Sequence, residues 1–123
     1  MSLWMVKAGS YGEQEQGALE NNVVTFGWKS LPDLSNIKTR EQLAELYAKV
    51  YPDATEKRAA NQVGQIWRFI NEIQKGDLVA LPLKTQSAIA IGQVVSDYEY
   101  KELTDNIKHI RRVKWLKTLP RSS

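Results

Sequence analysis

Cysteine is absent from this chain, and histidine occurs once, as His109. Thiol nucleophiles and disulfide frameworks are therefore excluded, and zinc sites built from Cys and His have no ligand set. No cofactor is expected. Long apolar runs are missing too. The opening MSLWMVKAGS carries an apolar stretch shorter than a signal-peptide core, and no segment approaches the length of a membrane span. The expectation is a cytoplasmic protein without membrane contact. There is no Walker loop, no dinucleotide fingerprint and no serine between elbow glycines. At 123 residues, 42% of them hydrophobic, the chain has room for one core and one domain.

What charge there is lies unevenly. Net charge is only +3, yet residues 108–123 hold six of the 17 Lys and Arg and none of the 14 Asp and Glu. A basic end on an acidic body fits a polyanion partner. It equally fits a solvated edge strand guarded by Lys and Arg against aggregation.

Patterning predicts an α+β order. Leu3 to Ala8 and Val23 to Trp28 read as strands, with a short helix around Gly17 to Glu20 between them. Thr39-Arg40-Glu41-Gln42 has the spacing of a capping box, and Leu43, Leu46, Tyr47 and Val50 recur behind it at helical spacing until Pro52. Thr55 caps a longer helix whose apolar stripe is Ala59, Val63, Ile66, Trp67, Ile70 and Ile73, ended by Gly76. The period then changes. Leu78 to Leu83 and Ala88 to Val95 form a hairpin across Lys84-Thr85-Gln86-Ser87, Asp97 to Lys101 extends its second strand, and Gly92 marks a bulge or a close approach. His109 to Leu116 is the last strand. The paired strands are expected antiparallel, in a curved sheet or small barrel with two main helices outside.

Chemistry is sparse. Glu99-Tyr100-Lys101 with Asp77 upstream spells the two carboxylates and lysine of an Mg²⁺ nuclease core, a triplet that also arises by chance in a chain that is 25% charged. Aromatics say more. Trp67 sits on the apolar stripe, and Trp115 in VKWL reads as core or sheet cover. Trp28 ends its strand between Gly27 and Lys29, which makes it either an edge cap on the core or a stacking platform for a base. Asn61, Gly64, Gln65 and Arg68 share a polar helix face, and Gly64 costs that helix about 1 kcal/mol relative to alanine. Close packing against a strand would account for the glycine, and so would close approach of a nucleic-acid backbone.

The segments LWMVKAGSYG, VVTFGW, NQVGQIWRFINEIQKGDLVALPLK, AIAIGQVVSDYEY and RRVKWL, taken in order, resemble the PUA-like superfamily, its EVE-type and YTH-like modules in particular. More closely, they resemble the amino-terminal domain of Mrr-type restriction endonucleases. The markers are Phe26-Gly27-Trp28, Lys75-Gly76-Asp77, and Ile91-Gly92 leading to Tyr98-Glu99-Tyr100. The resemblance implies a reader that holds one base, usually a modified one, in an aromatic pocket, extruded from duplex DNA. Trp28 would be a wall of that pocket, Ser10 and Lys7 would bond the base, and Tyr11 or Tyr98 would supply the second aromatic that the Lys84–Ser87 hairpin lacks. Arg111, Arg112 and Lys114 would hold phosphates, with Lys29, Lys84, Arg68 and Gln65 as further backbone contacts.

The expected partner is thus nucleic acid, DNA ahead of RNA. Residues 1–119 would form the reader, and 120–123 a tail or linker toward a nuclease domain in a longer chain. The rivals are an RNA-binding module of the same fold, the small nuclease of Asp77, Glu99 and Lys101, and a protein-interaction scaffold.

Overall fold

The two longer helices begin at the residues whose side chains cap them. Thr39 Oγ1 accepts from the Gln42 N–H at 3.1 Å, and the Gln42 carboxamide oxygen accepts from the Thr39 N–H at 3.2 Å, so the capping box is complete. Thr55 Oγ1 accepts from the Arg58 N–H at 3.2 Å. The computed structural model describes residues 2–6, 14–28, 30–105 and 107–120. Among them the order is β1 (Leu3–Met5), α1 (Glu15–Asn21), β2 (Val23–Thr25), α2 (Arg40–Val50), α3 (Glu56–Trp67), β3 (Leu78–Pro82), β4 (Ala88–Thr104) and β5 (Ile107–Pro120).

The fold is α+β as expected, and its five-stranded sheet is open, with register shifts along β4. Its order is β1-β3-β4-β5-β2, so β1 and β2 are its two edges. One pair departs from the antiparallel expectation: β1 runs parallel to β3, in register Leu3 with Leu78 and Met5 with Ala80. Strands joined by a crossover as long as this one are free to lie parallel, whereas a hairpin is not. The hairpin β4–β5 is longer than the sequence suggests, reaching Thr104 on one side and Pro120 on the other. Gly92 sits at a register shift, and a Cβ there would meet the Trp115 ring at 2.9 Å, so the glycine serves both expected purposes.

Core residues Val24, Phe26, Leu43, Ile66, Phe69, Val79 and Leu81 are each at most 6% exposed and lie between the sheet and α2–α3. Each fully buried side chain of this size contributes roughly 1.5–3 kcal/mol. A smaller cluster of Val23, Ile107 and Ile110 closes the far end.

The long helix does not run unbroken to Gly76. After Trp67 it widens into a π-helical turn, Arg68–Glu72. The Ile73 N–H bonds Arg68 O, five residues back, instead of Phe69 O, and the next N–H, that of Gln74, bonds the Asp77 carboxylate. The Phe69 carbonyl is left to Arg111, whose Nη1 donates to it at 3.1 Å and to Ile73 O at 2.7 Å, while its Nε donates to Ser96 O at 2.9 Å. A cation at the carbonyl end of a helix is favourably placed, and here it ties helix to sheet.

Candidate functional site

Between α2, α3 and the near end of the sheet lies a cleft of about 1330 Å³. Its geometry follows from Trp28. Phe26 is buried, and its ring meets that of Trp28 edge-to-face at 5.4 Å and 66°, which fixes the indole just past the end of β2. Trp28 Nε1 donates to Gln62 Oε1 on α3 at 2.8 Å, and the Tyr47 hydroxyl bonds the same oxygen. Indole N–H is donor-only, so the atom of Gln62 facing Trp28 must be its carbonyl oxygen, and the carboxamide is oriented without ambiguity. The tryptophan remains half-buried and lines the cleft with Tyr47 and Tyr51, whose own rings lie 4.8 Å apart.

The charges of the cleft are mostly of one sign. Among the described residues, Arg40, Arg58, Arg68 and Lys84 line it, against Asp53 as the one carboxylate. Arg68 lies 5.8 Å over the Trp4 ring and 4.0 Å from Glu72. Lys84 is positioned through its backbone, since Glu15 on α1 accepts from the Lys84 N–H and from the Thr85 hydroxyl. The sequence-predicted residues Trp28, Gln65, Arg68 and Lys84 therefore share one cleft. Tyr47, Tyr51, Arg40 and Arg58 join them unannounced. The i, i+4 spacing of Tyr47 on α2 and Tyr51 just past its end is the available signal, but Tyr47 also fits the apolar stripe of that helix.

The other expected site residues fall into two groups. Lys7, Ser10, Tyr11 and Lys29 fall outside the described residues. Arg111 is corrected: it is 2% exposed with its donors on three carbonyls, so it does not hold phosphates. Arg112 and Lys114 alternate with the buried Arg111 and Val113 along β5 and face away from α2–α3. Arg112 is further occupied by Glu99, at 2.9 Å.

Tyr98 is corrected as well. Its hydroxyl accepts from the Leu34 N–H at 3.1 Å and donates to His109 Nδ1 at 2.6 Å, and His109 Nε2–H donates to Leu31 O at 3.0 Å. Only the neutral Nε2–H tautomer completes that chain. Burial lowers the His109 pKa to about 4 and raises that of Tyr98. This chain staples the loop around Leu31–Leu34 to β4–β5 and is sealed from the cleft.

The nuclease constellation does not assemble. Asp77 accepts from Gln74 N–H, from Trp4 Nε1 and from Ser2 N–H, bonds that hold its carboxyl below the usual range, and Glu99 is paired with Arg112. Among the described residues no group of three or more His, Asp or Glu could hold a metal ion. Among them, too, no helix is long and apolar enough to cross a membrane.

Comparison with known proteins places the chain only partly. A family model described as a domain of unknown function, DUF8426, matches residues 4–123. No curated protein matches. Among solved structures, the crystal structure of the MmI1 YTH domain is similar over 100% of this chain and 69% of that one, at 14% identity and a TM-score of 0.44.

Proposed function

We propose that this chain, which belongs to the DUF8426 family, is a nucleic-acid reader that stacks one base on Trp28 and holds the adjoining backbone with the cations of the cleft. The observation that carries the reading is the cleft itself: an indole locked by Phe26 and Gln62 stands, among the described residues, with four cations and one carboxylate. Stacking on an aromatic is worth roughly 1–3 kcal/mol per base, and phosphate contacts add a salt-dependent attraction. Tyr51, which lines the same cleft and is partly exposed, takes the place of the second aromatic that the resemblance assigned to Tyr11 or Tyr98. The finer part of the proposal, drawn from the resemblance of the sequence, is that the substrate is DNA carrying a modified base and that the module serves a modification-dependent restriction system. The chain itself carries out no catalysis in this reading.

The test is an affinity titration against short duplexes identical except for one cytosine, plain, methylated or hydroxymethylated, with matched RNA and Trp28→Ala alongside. Modification-dependent binding lost in Trp28→Ala is the expected result. Preference for the RNA would move the proposal to its rival of the same fold, through contacts to the 2′-OH. Equal binding to every oligonucleotide, unchanged in the variant, would sink the base pocket.

A further inference from the structure

The middle of α3 carries a glycine, and the structure shows what occupies the space beside it. A Cβ on Gly64 would lie 2.9 Å from Nη2 of Arg40, so the guanidinium of Arg40 rests in a notch that any other residue type would fill. Helix stability explains neither residue. Glycine is among the poorest residues for a helix interior, and Arg40, as the first residue of α2, puts a cation at the positive end of the macrodipole. Among the described residues the ion pairs are Arg68–Glu72, Lys75–Asp97 and Arg112–Glu99, and Arg40 makes no hydrogen bond there.

What the pair does achieve is placement. Arg40, Gly64 and Arg58 all line the cleft that Trp28 borders, with an exposed guanidinium whose donors are unspent. A planar guanidinium suits the oxygens of a phosphodiester in two-pronged fashion, and seating it against a helix reduces the freedom it must give up on binding. We infer that Gly64 and Arg40 together form a phosphate clamp for the strand whose base lies on Trp28. The clamp rests on the nucleic-acid reading above. Gly64 is its positioning residue and Arg40 the contact.

Because only the far end of a flexible side chain stands in the way, Gly64→Ala leaves the fold intact and displaces the guanidinium. Stability and binding should then move in opposite directions. Thermal unfolding should show a rise in Tm of roughly 2–4 °C, from the better helix former. Fluorescence titration of the best-bound oligonucleotide of the series above should show affinity about fivefold to tenfold weaker, with the salt slope shallower by about one. Arg40→Ala should reproduce the loss of affinity, and the double variant should lose no more than Arg40→Ala alone. Wild-type affinity and salt slope in both single variants would overturn the clamp and leave the Trp28 reading standing. Wild-type protein that binds no oligonucleotide would overturn both.

Discussion

Two regions of this molecule contain arginine, tyrosine and a neutral polar side chain in close quarters, and they use them in opposite ways. Under the β4–β5 hairpin, Arg111, Tyr98 and His109 spend their polar atoms on Phe69, Ile73, Ser96, Leu31 and Leu34. In the cleft, Arg40 and Arg58 pair with no carboxylate among the described residues, while Trp28 and Gln62, oriented by the buried Tyr47, remain partly exposed along its wall. Residue type does not separate a staple from a site. The balance of donors against acceptors does, because a buried group without a partner costs about 1–3 kcal/mol and an exposed one costs little.

The largest effect should come from the sealed region. Arg111→Met removes the donors of three carbonyls, two at the end of the long helix, and should destabilise the protein by about 3–5 kcal/mol in urea unfolding. The affinity of the fraction that remains folded should be unchanged. A weakened salt slope instead would return Arg111 to the phosphates and erase the contrast.

The next effect is one of pH. His109 must stay neutral to accept from Tyr98, and its folded pKa of about 4 lies below the ordinary 6.5. The unfolded chain therefore binds the proton first as pH falls. Stability should be complete above about pH 6.5 and fall by about 3 kcal/mol on the way to pH 4. Asp33 and Asp77, whose carboxyls are held below their usual range, lose their contributions only at lower pH. A Tm that stays flat between pH 6.5 and 4 would show that the imidazole protonates without giving up its partners.

Trp28→Ala should act chiefly on binding, with a loss of about 1–3 kcal/mol in the oligonucleotide titration and retained salt dependence, since stacking goes and the cations remain. The smallest effect is expected from Arg112→Ala. Its ion pair with Glu99 is about 40% exposed and should contribute less than about 1 kcal/mol to stability, with no change in affinity, because the side chain faces away from the cleft.

Local signals in the sequence were legible wherever one residue decides the structure. Thr39 with Gln42, Thr55 and Gly92 all sit where their chemistry put them, and the apolar stripe of the long helix is the core face. What stayed hidden is what two distant residues decide together. The π-helical turn depends on Arg111, some 40 residues away, and Gly64 is explained by Arg40 on another helix. Of the residues singled out for the site, Trp28, Gln65, Arg68 and Lys84 lie together in one cleft, whereas the basic run of β5 does not line it. Along a strand, neighbours in sequence face opposite sides, so a run of like charges is split between the interior and the outer face.

The parallel pairing of β1 with β3 has a consequence for the order in which the chain comes together. The β4–β5 hairpin joins residues close in sequence, whereas Leu3 reaches Leu78 only after the whole intervening chain has been gathered. Loop closure grows costlier with length, so the hairpin is the natural nucleus and the first strand docks late. Met5 lines the cleft, and Trp4, anchored by Asp77, stacks under Arg68. The last strand to arrive thus completes one wall of the cleft, and an emerging chain acquires that cleft only once the fold is closed.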